Sequence, residues 1–151
     1  MKGTRGSANT DANRRLAMVW GDGDTVQDPQ GSTYSADNRA DAPAAEQKTQ
    51  DYSLYTYYKK VILLRKANPE IARGDYSPVT VPDSKVGGFV SAWNGSKALV
   101  FHNSTGNSAT LDLAALGLTD FTAISGFVGM GEAKLEGTTL TLDSQTSVVL
   151  R

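Results

Sequence analysis

The sequence contains no cysteine and a single histidine, His102, among its 151 residues. A chain without cysteine forms no disulfide and offers no thiolate to a metal. With one histidine, a histidine-based zinc site and a Ser-His-Asp triad elsewhere in the chain are both hard to build. The lack of cysteine does not identify a compartment, because many secreted bacterial proteins also lack it, and the localisation stays open.

An excess of charge of either sign is missing as well. The 15 basic and 16 acidic residues give a formal net charge of -1, and such a chain has no strong field to attract nucleic acid or an anionic membrane. No apolar run is long enough to span a bilayer. The segment Met1–Thr10 is polar and lacks the apolar core of a signal peptide. We therefore expect neither nucleic acid nor a membrane as a partner.

The composition changes twice along the chain and indicates three segments. Residues 1–50 are rich in small and polar residues, which predicts a long irregular arm that needs a surface to lie against. Residues 51–74 are predicted to form one α-helix and a linker. Residues 75–151 carry short β-type runs and are predicted to form a separate domain.

The predicted helix has a broad apolar face. Asp51 and Ser53 are suitable N-caps, and Pro69 is expected to end the helix near Ala67. Apolar residues recur at spacings of three and four, namely Leu54, Tyr57, Tyr58, Val61, Ile62 and Leu64. A face of this kind rarely stays exposed in a soluble monomer. We therefore expect the face of residues 54–64 to pack on the chain's own sandwich, on its arm or on a second copy.

The third segment is predicted to be a small antiparallel Greek-key β-sandwich. Asn94-Gly95 is a strong signal for a type I′ hairpin, and Glu136-Gly137 is a second turn. Short β-branched and aromatic runs without long helices between them are typical of a sandwich or barrel. The predicted strands are Ser77–Val81, Val86–Trp93, Ala98–Asn103, Ala109–Leu113, Phe121–Val128, Ala133–Leu135, Thr138–Leu142 and Ser147–Leu150.

The helix and the residues after it resemble a known family. Residues 54–69, followed by Ile71 and Gly74-Asp75-Tyr76, are similar to the Y-x-x-L-I-x-L-R-x-x-N-P and G-x-Y phrases of the α-amylase family, glycoside hydrolase family 13. In that family, these phrases belong to the last helix of the catalytic barrel and to the entry into the C-terminal β domain.

The resemblance extends in both directions from the helix. Met1-Lys2-Gly3 and residues 11–20 resemble the loop after the eighth barrel strand, although Ala17 stands where the family usually has proline. Residues 97–104 and the last two strands resemble the β domain. The resemblance implies that the chain is the C-terminal part of such an enzyme: the loop after strand eight, helix eight and the sandwich.

The resemblance also implies that the catalytic carboxylates lie upstream of this chain, on the fourth, fifth and seventh barrel strands, so that the chain alone is inactive. Arg39-Ala40-Asp41-Ala42 matches the R-x-D-A core of the nucleophile segment, but no buried strand precedes it and Pro43 follows, which favours coincidence. We expect no cofactor. The family often binds calcium, yet the acidic turn with Asp22, Asp24 and Asp28 lacks the glutamate of an EF-hand at Thr33.

Contact with sugar is the remaining chemistry that the sequence offers. Aromatic faces stack on sugar rings, and Trp20, Tyr34, Tyr76 and Trp93 are candidates. The resemblance places Asp11, Arg15 and Trp20 on the loop that borders the substrate cleft, as a possible rim. Trp93 is a possible sugar platform, although Phe89, Ser91 and Trp93 alternate with Val90 and Ala92, a pattern that favours a core position for Trp93.

Two functions stay open at this point. In the first, the chain is a structural region that supports the missing catalytic barrel. In the second, the sandwich is a carbohydrate-binding module for starch or maltooligosaccharides. Asn94-Gly-Ser and Asn103-Ser-Thr are formal glycosylation sequons, relevant only in a eukaryotic secretory host.

Overall fold

The computed structural model describes residues 10–21, 27–33, 42–82 and 85–151. The chain divides into two compact units, residues 1–56 and 57–151. Each unit is described by itself, and the segment boundaries after residues 50 and 74 stay predictions. Among the described residues, no helix has both the length and the apolar character needed to cross a membrane.

Among its described residues, the first unit contains two short helices, α1 (Thr10–Arg14) and α2 (Ala44–Gln47), which the sequence did not predict. The buried Asn13 connects α1 to a later loop: its amide donates to Thr33 Oγ1 at 3.0 Å and accepts from the Thr33 N–H at 2.9 Å. The helix α2 follows Pro43, and its buried Ala44 donates to the Val19 carbonyl at 3.0 Å. These paired polar groups organise an arm that has few large apolar side chains.

The long helix α3 (Leu54–Ala67) begins at the predicted cap. Ser53 Oγ accepts from the Thr56 N–H at 3.1 Å, and the Ser53 N–H donates to Thr56 Oγ1 at 2.9 Å. Each side chain satisfies a free N–H of the other residue, which is the logic of a capping box. The predicted end near Ala67 is also confirmed. Pro69 then opens a further short helix, α4 (Pro69–Arg73), at a position where proline is favoured.

The described residues of the second unit form an eight-stranded antiparallel β fold, which confirms the predicted class. Five strands pair in the order β1-β2-β3-β8-β5 and three in the order β4-β7-β6. Each overlaps one predicted run, and Asn94 and Gly95 join β2 to β3 with φ of 51° and 78°, the positive values that a type I′ turn requires. The strands are β1 (Asp75–Val79), β2 (Val86–Trp93), β3 (Ser96–Asn103), β4 (Ala109–Asp112), β5 (Ile124–Gly129), β6 (Ala133–Glu136), β7 (Thr139–Leu142) and β8 (Thr146–Leu150).

The main core lies between the two sheets. Alternate residues of β3 and β8 face β4, β6 and β7, as expected when each strand turns one face inward. The fully buried side chains of this core include Leu99, Phe101, Leu140, Leu142, Val148 and Leu150. The stability of this unit therefore comes mainly from the burial of apolar side chains between the sheets.

A smaller apolar cluster covers the other face of the five-stranded sheet. Ala98, Val100 and Val149 are buried there, against Leu64 of α3 and Ile71 of α4. The end of α3 and the short helix α4 thus pack on the outside of the sandwich.

Candidate functional surfaces

Two polar residues are buried where α3 passes into α4. We call Asn68 and Glu70 the elbow; their exposed fractions are 0% and 2%. Asn68 Nδ2 donates to the Leu64 carbonyl at 2.8 Å, and Asn68 Oδ1 accepts from Ser125 Oγ at 2.8 Å. The amide therefore caps the helix and binds the sheet at the same time.

The guanidinium of Arg151, at the end of β8, joins both elbow residues. Its Nε donates to Asn68 Oδ1 at 2.8 Å, and its Nη2 donates to Glu70 Oε2 at 2.7 Å. Burial by itself raises the pKa of Glu70, but hydrogen bonds from Ser96 and the backbone, together with the charge of Arg151, hold the pKa below its ordinary value of 4.5. Glu70 is therefore a carboxylate at neutral pH.

The helix α3 presents an exposed apolar ridge. Leu54, Tyr58 and Ile62 follow one another at four-residue spacing, and their side chains are 55%, 59% and 53% exposed. Residues at this spacing lie on one side of a helix. We call these three residues the α3 ridge. The broad predicted face is thus divided, because Leu64 contacts the sheet whereas the ridge remains in solvent.

Three rings form a row on the outer face of the five-stranded sheet. Tyr76 on β1 and Phe89 on β2 have ring centroids 4.8 Å apart, and His102 on β3 follows at 6.2 Å from Phe89. Tyr76 is 64% exposed. His102 Nδ1 lies 2.8 Å from Ser147 Oγ, and its partial burial lowers the pKa of the imidazole. We call Tyr76, Phe89 and His102 the aromatic row.

Trp93, the predicted sugar platform, is half-buried. The guanidinium of Arg73 lies over the indole at 5.1 Å from the ring centroid, as in a cation–π contact. One face of the indole ring is therefore occupied by the arginine side chain. Tyr76, which the sequence also indicated as a candidate, is the more exposed ring.

The predicted substrate rim lies in the first unit. Asp11 and Arg15 are both exposed and form an ion pair one turn apart along the chain. Trp20 is exposed, and its backbone carbonyl accepts from the Ala45 N–H at 2.8 Å. The rim assignment of these three residues stays a prediction.

The other acidic candidates show structural roles or lie outside the described residues. Asp28 Oδ1 accepts from the Ala17 N–H at 2.8 Å, as in a loop tie. Met1-Lys2-Gly3, Asp22, Asp24, Tyr34 and Arg39-Ala40-Asp41 lie outside the described residues. Within the part that is described, no group of three or more metal-ligating side chains could hold an ion.

Asn103 is the buried polar residue at the end of β3. Its Nδ2 donates to the Asn107 and Asp143 carbonyls at 2.8 and 2.9 Å, and its Oδ1 accepts from Thr105 Oγ1 at 2.8 Å. These bonds engage both polar atoms of the amide, so the asparagine at this sequon has a structural role.

Comparison with known proteins identifies enzymes that act on sugars. No family model matches the chain. A curated relative, oligo-1,6-glucosidase of a Bacillus species, is 31% identical over 88 residues, which are 57% of this chain and 17% of that enzyme. Among solved structures, Amy13B of Eubacterium rectale superposes with a TM-score of 0.80 at 26% identity, over 93% of this chain and 28% of that one.

More distant structures have the same fold. The trehalulose synthase MutB of Pseudomonas mesoacidophila, 20% identical, matches 72% of this chain and 19% of its own with a TM-score of 0.58. Isomaltulose synthase of a Klebsiella species matches to the same extent at 23% identity. The chain thus spans less than a third of the length of each of these proteins. It resembles the C-terminal part of α-amylase family enzymes, glycoside hydrolase family 13, as the sequence motifs indicated.

Proposed function

We propose that the chain is the non-catalytic C-terminal region of an α-glucan-degrading, α-amylase-like enzyme and that it supports a catalytic barrel. The α3 ridge is the observation that carries this proposal. Tyr58 and Ile62 stand at the aromatic and apolar positions of the barrel-helix motif, and both are more than half exposed. A helix in water without a partner for such a ridge leaves apolar area that a barrel would cover.

The size of the matches supports the same proposal. Oligo-1,6-glucosidase and Amy13B are each several times longer than the segment that they share with this chain. Most of each relative therefore lies outside the shared segment and is available as a partner for the ridge. In the proposed arrangement, the sandwich anchors α3 and the barrel covers the ridge, so that the barrel gains stability without any catalytic group from this chain.

A chimaera tests the proposal. The matched segment of Amy13B is replaced by this chain, and thermal unfolding of the chimaera is compared with that of Amy13B truncated before the segment. We expect a higher Tm for the chimaera and loss of that gain with Ile62→Glu. Leu63→Glu is the matched control, since Leu63 is equally exposed but lies about 100° around the helix from Ile62.

Equal effects of Ile62→Glu and Leu63→Glu would contradict docking through the ridge. A second copy of the chain is the other possible occupant. Sedimentation of the isolated chain distinguishes a second copy from a barrel. If the chain forms a dimer and Ile62→Glu dissociates it, the ridge serves self-association.

The aromatic row favours one alternative, a carbohydrate-binding module. Tyr76 and Phe89 form a continuous surface, and the nearby His102 and Ser147 carry polar atoms that hydrogen-bond hydroxyl groups. Calorimetric titration of the chain with maltoheptaose tests this function. Saturable heat that Tyr76→Ala abolishes and that Phe127→Ala, another exposed aromatic, leaves intact would support it. A flat titration on folded protein would reject it.

A further inference from the structure

The helix α3 has little apolar anchorage on the sandwich. None of its side chains is buried, and Leu64 is the α3 residue that packs on the outer apolar cluster. The two elbow residues that follow the helix, Asn68 and Glu70, are both buried. The end of the helix is therefore anchored by polar groups.

The elbow is tied by hydrogen bonds to three strands of the five-stranded sheet. Ser91 of β2 donates from Oγ to the Glu70 carbonyl at 2.6 Å. Ser125 of β5 donates to Asn68, and Arg151 at the end of β8 donates to both elbow residues. These bonds approach the elbow from several directions and fix its orientation as well as its position.

Arginine suits the central place in this network. Its planar guanidinium donates from Nε and Nη2 in fixed directions, whereas a lysine ammonium is a point charge on a flexible stem. Here the two donors bind two different residues, Asn68 and Glu70. Because Asn68 also binds the Leu64 carbonyl in the last turn of α3, the orientation of the guanidinium is passed directly to the helix.

We propose that Asn68, Glu70 and Arg151 form a clamp that sets the direction in which α3 leaves the sandwich. The clamp would thereby hold the α3 ridge ready for its partner. Only the role of the clamp in holding the ridge for a partner rests on the proposed function. The clamp itself is tested in the isolated chain, so its failure and the failure of barrel docking are separate results.

The absence of cysteine makes a distance measurement straightforward. Nitroxide labels at Lys60→Cys on α3 and Lys134→Cys on β6 report the direction of the helix by pulsed electron paramagnetic resonance. Labels at Lys97→Cys and Lys134→Cys report the sandwich alone. All three lysines are exposed. We expect a narrow distance distribution for both pairs, and loss of the narrow helix-to-sheet distance in Arg151→Met while the sandwich distance is unchanged.

A second variant removes the ambiguity of misfolding. Arg151→Met leaves the buried Glu70 carboxylate without its cation, which alone can unfold a small domain. Adding Glu70→Gln removes the second charge and still leaves the clamp broken. A folded double variant with a broad helix-to-sheet distance and an intact sandwich distance supports the clamp. A narrow, unshifted helix-to-sheet distance, or equal broadening of both distances, overturns it.

Discussion

The side chain of Leu64 lies directly over Gly126. A Cβ atom placed on Gly126 would stand 2.7 Å from Leu64 Cδ1, closer than two carbon atoms tolerate. Leu64 belongs to the last turn of α3 and Gly126 to β5. The absence of a side chain at Gly126 therefore allows the helix to approach the sheet.

Gly126→Ala is expected to destabilise the second unit by about 1 kcal/mol, because the added methyl group overpacks this contact. Leu64→Ala is expected to cost about 1 kcal/mol through lost burial. The double variant should cost less than the sum of the two, since the shorter side chain accommodates the methyl group. Urea denaturation of the four proteins measures the coupling. Additive effects would show that the two residues do not share the contact.

The pair Gly87 and Gly88 on β2 allows a sharper comparison. A Cβ atom at Gly88 would meet the Phe101 ring and lie 2.8 Å from the Val100 carbonyl oxygen, whereas a Cβ atom at Gly87 meets nothing within 4 Å. We expect Gly88→Ala to cost roughly 2 kcal/mol by overpacking. Gly87→Ala should be neutral within about 0.5 kcal/mol. Equal midpoints in urea would contradict this arrangement of β2 and β3.

The pH dependence of stability should carry a component from Glu70. Its pKa is lower in the folded chain than in the unfolded chain, so the unfolded state takes up the proton first. The stabilisation is complete above the unfolded value near 4.5 and is lost as the pH falls through the folded pKa. Glu70→Gln should remove this component and flatten the curve in acid.

Urea midpoints between pH 3 and pH 7 test this expectation. The exposed Glu136 provides the control, because Glu136→Gln replaces a solvated carboxylate by the same amide. If the urea midpoints of the two variants differ by the same amount at pH 7 and in acid, Glu70 is not the source of the pH-dependent stability.

The β strands could be predicted because their signals are local. Most of the strands contain a short run of apolar and β-branched residues, and Asn94-Gly95 specifies its hairpin within two positions. The helix could equally be predicted, because Ser53 is a suitable N-cap and Pro69 ends the helix. Alternation and turn residues are sufficient for the strands because register and burial follow from them.

The elbow could not be predicted in the same way. Asn68 and Glu70 lie 83 and 81 positions from Arg151, and no local pattern connects residues so far apart. In the sequence, Glu70 resembles an ordinary acidic residue in the first turn of a helix. The Asn-Pro phrase was recognised as part of a motif, but its role becomes visible only when the sheet supplies the partners.

The candidate surfaces also combine features that local sequence predicts with contacts that only the folded chain reveals. The apolar character of the α3 face was evident from the spacing, but its division into Leu64 inside and Tyr58 and Ile62 outside depends on the sheet. Likewise, alternation along β2 places Trp93 beside Phe89 and Ser91 on one face. It gives no indication that Arg73, from another element, covers the indole ring.

Asn103 provides the last prediction, since one side chain joins three segments. It ends β3 and binds the loop at Thr105 and Asn107 as well as the Asp143 carbonyl after β7. Asn103→Ala would remove the donor to the Asn107 and Asp143 carbonyls and the acceptor of the Thr105 N–H, and we expect a loss of about 2 kcal/mol. Asn107→Ala is the control: its side chain is exposed and its carbonyl, which accepts the bond, is retained, so its cost should stay within about 0.5 kcal/mol. Equal urea midpoints for the two variants would mean that the Asn103 amide does not hold the two sheets together at this end of the sandwich.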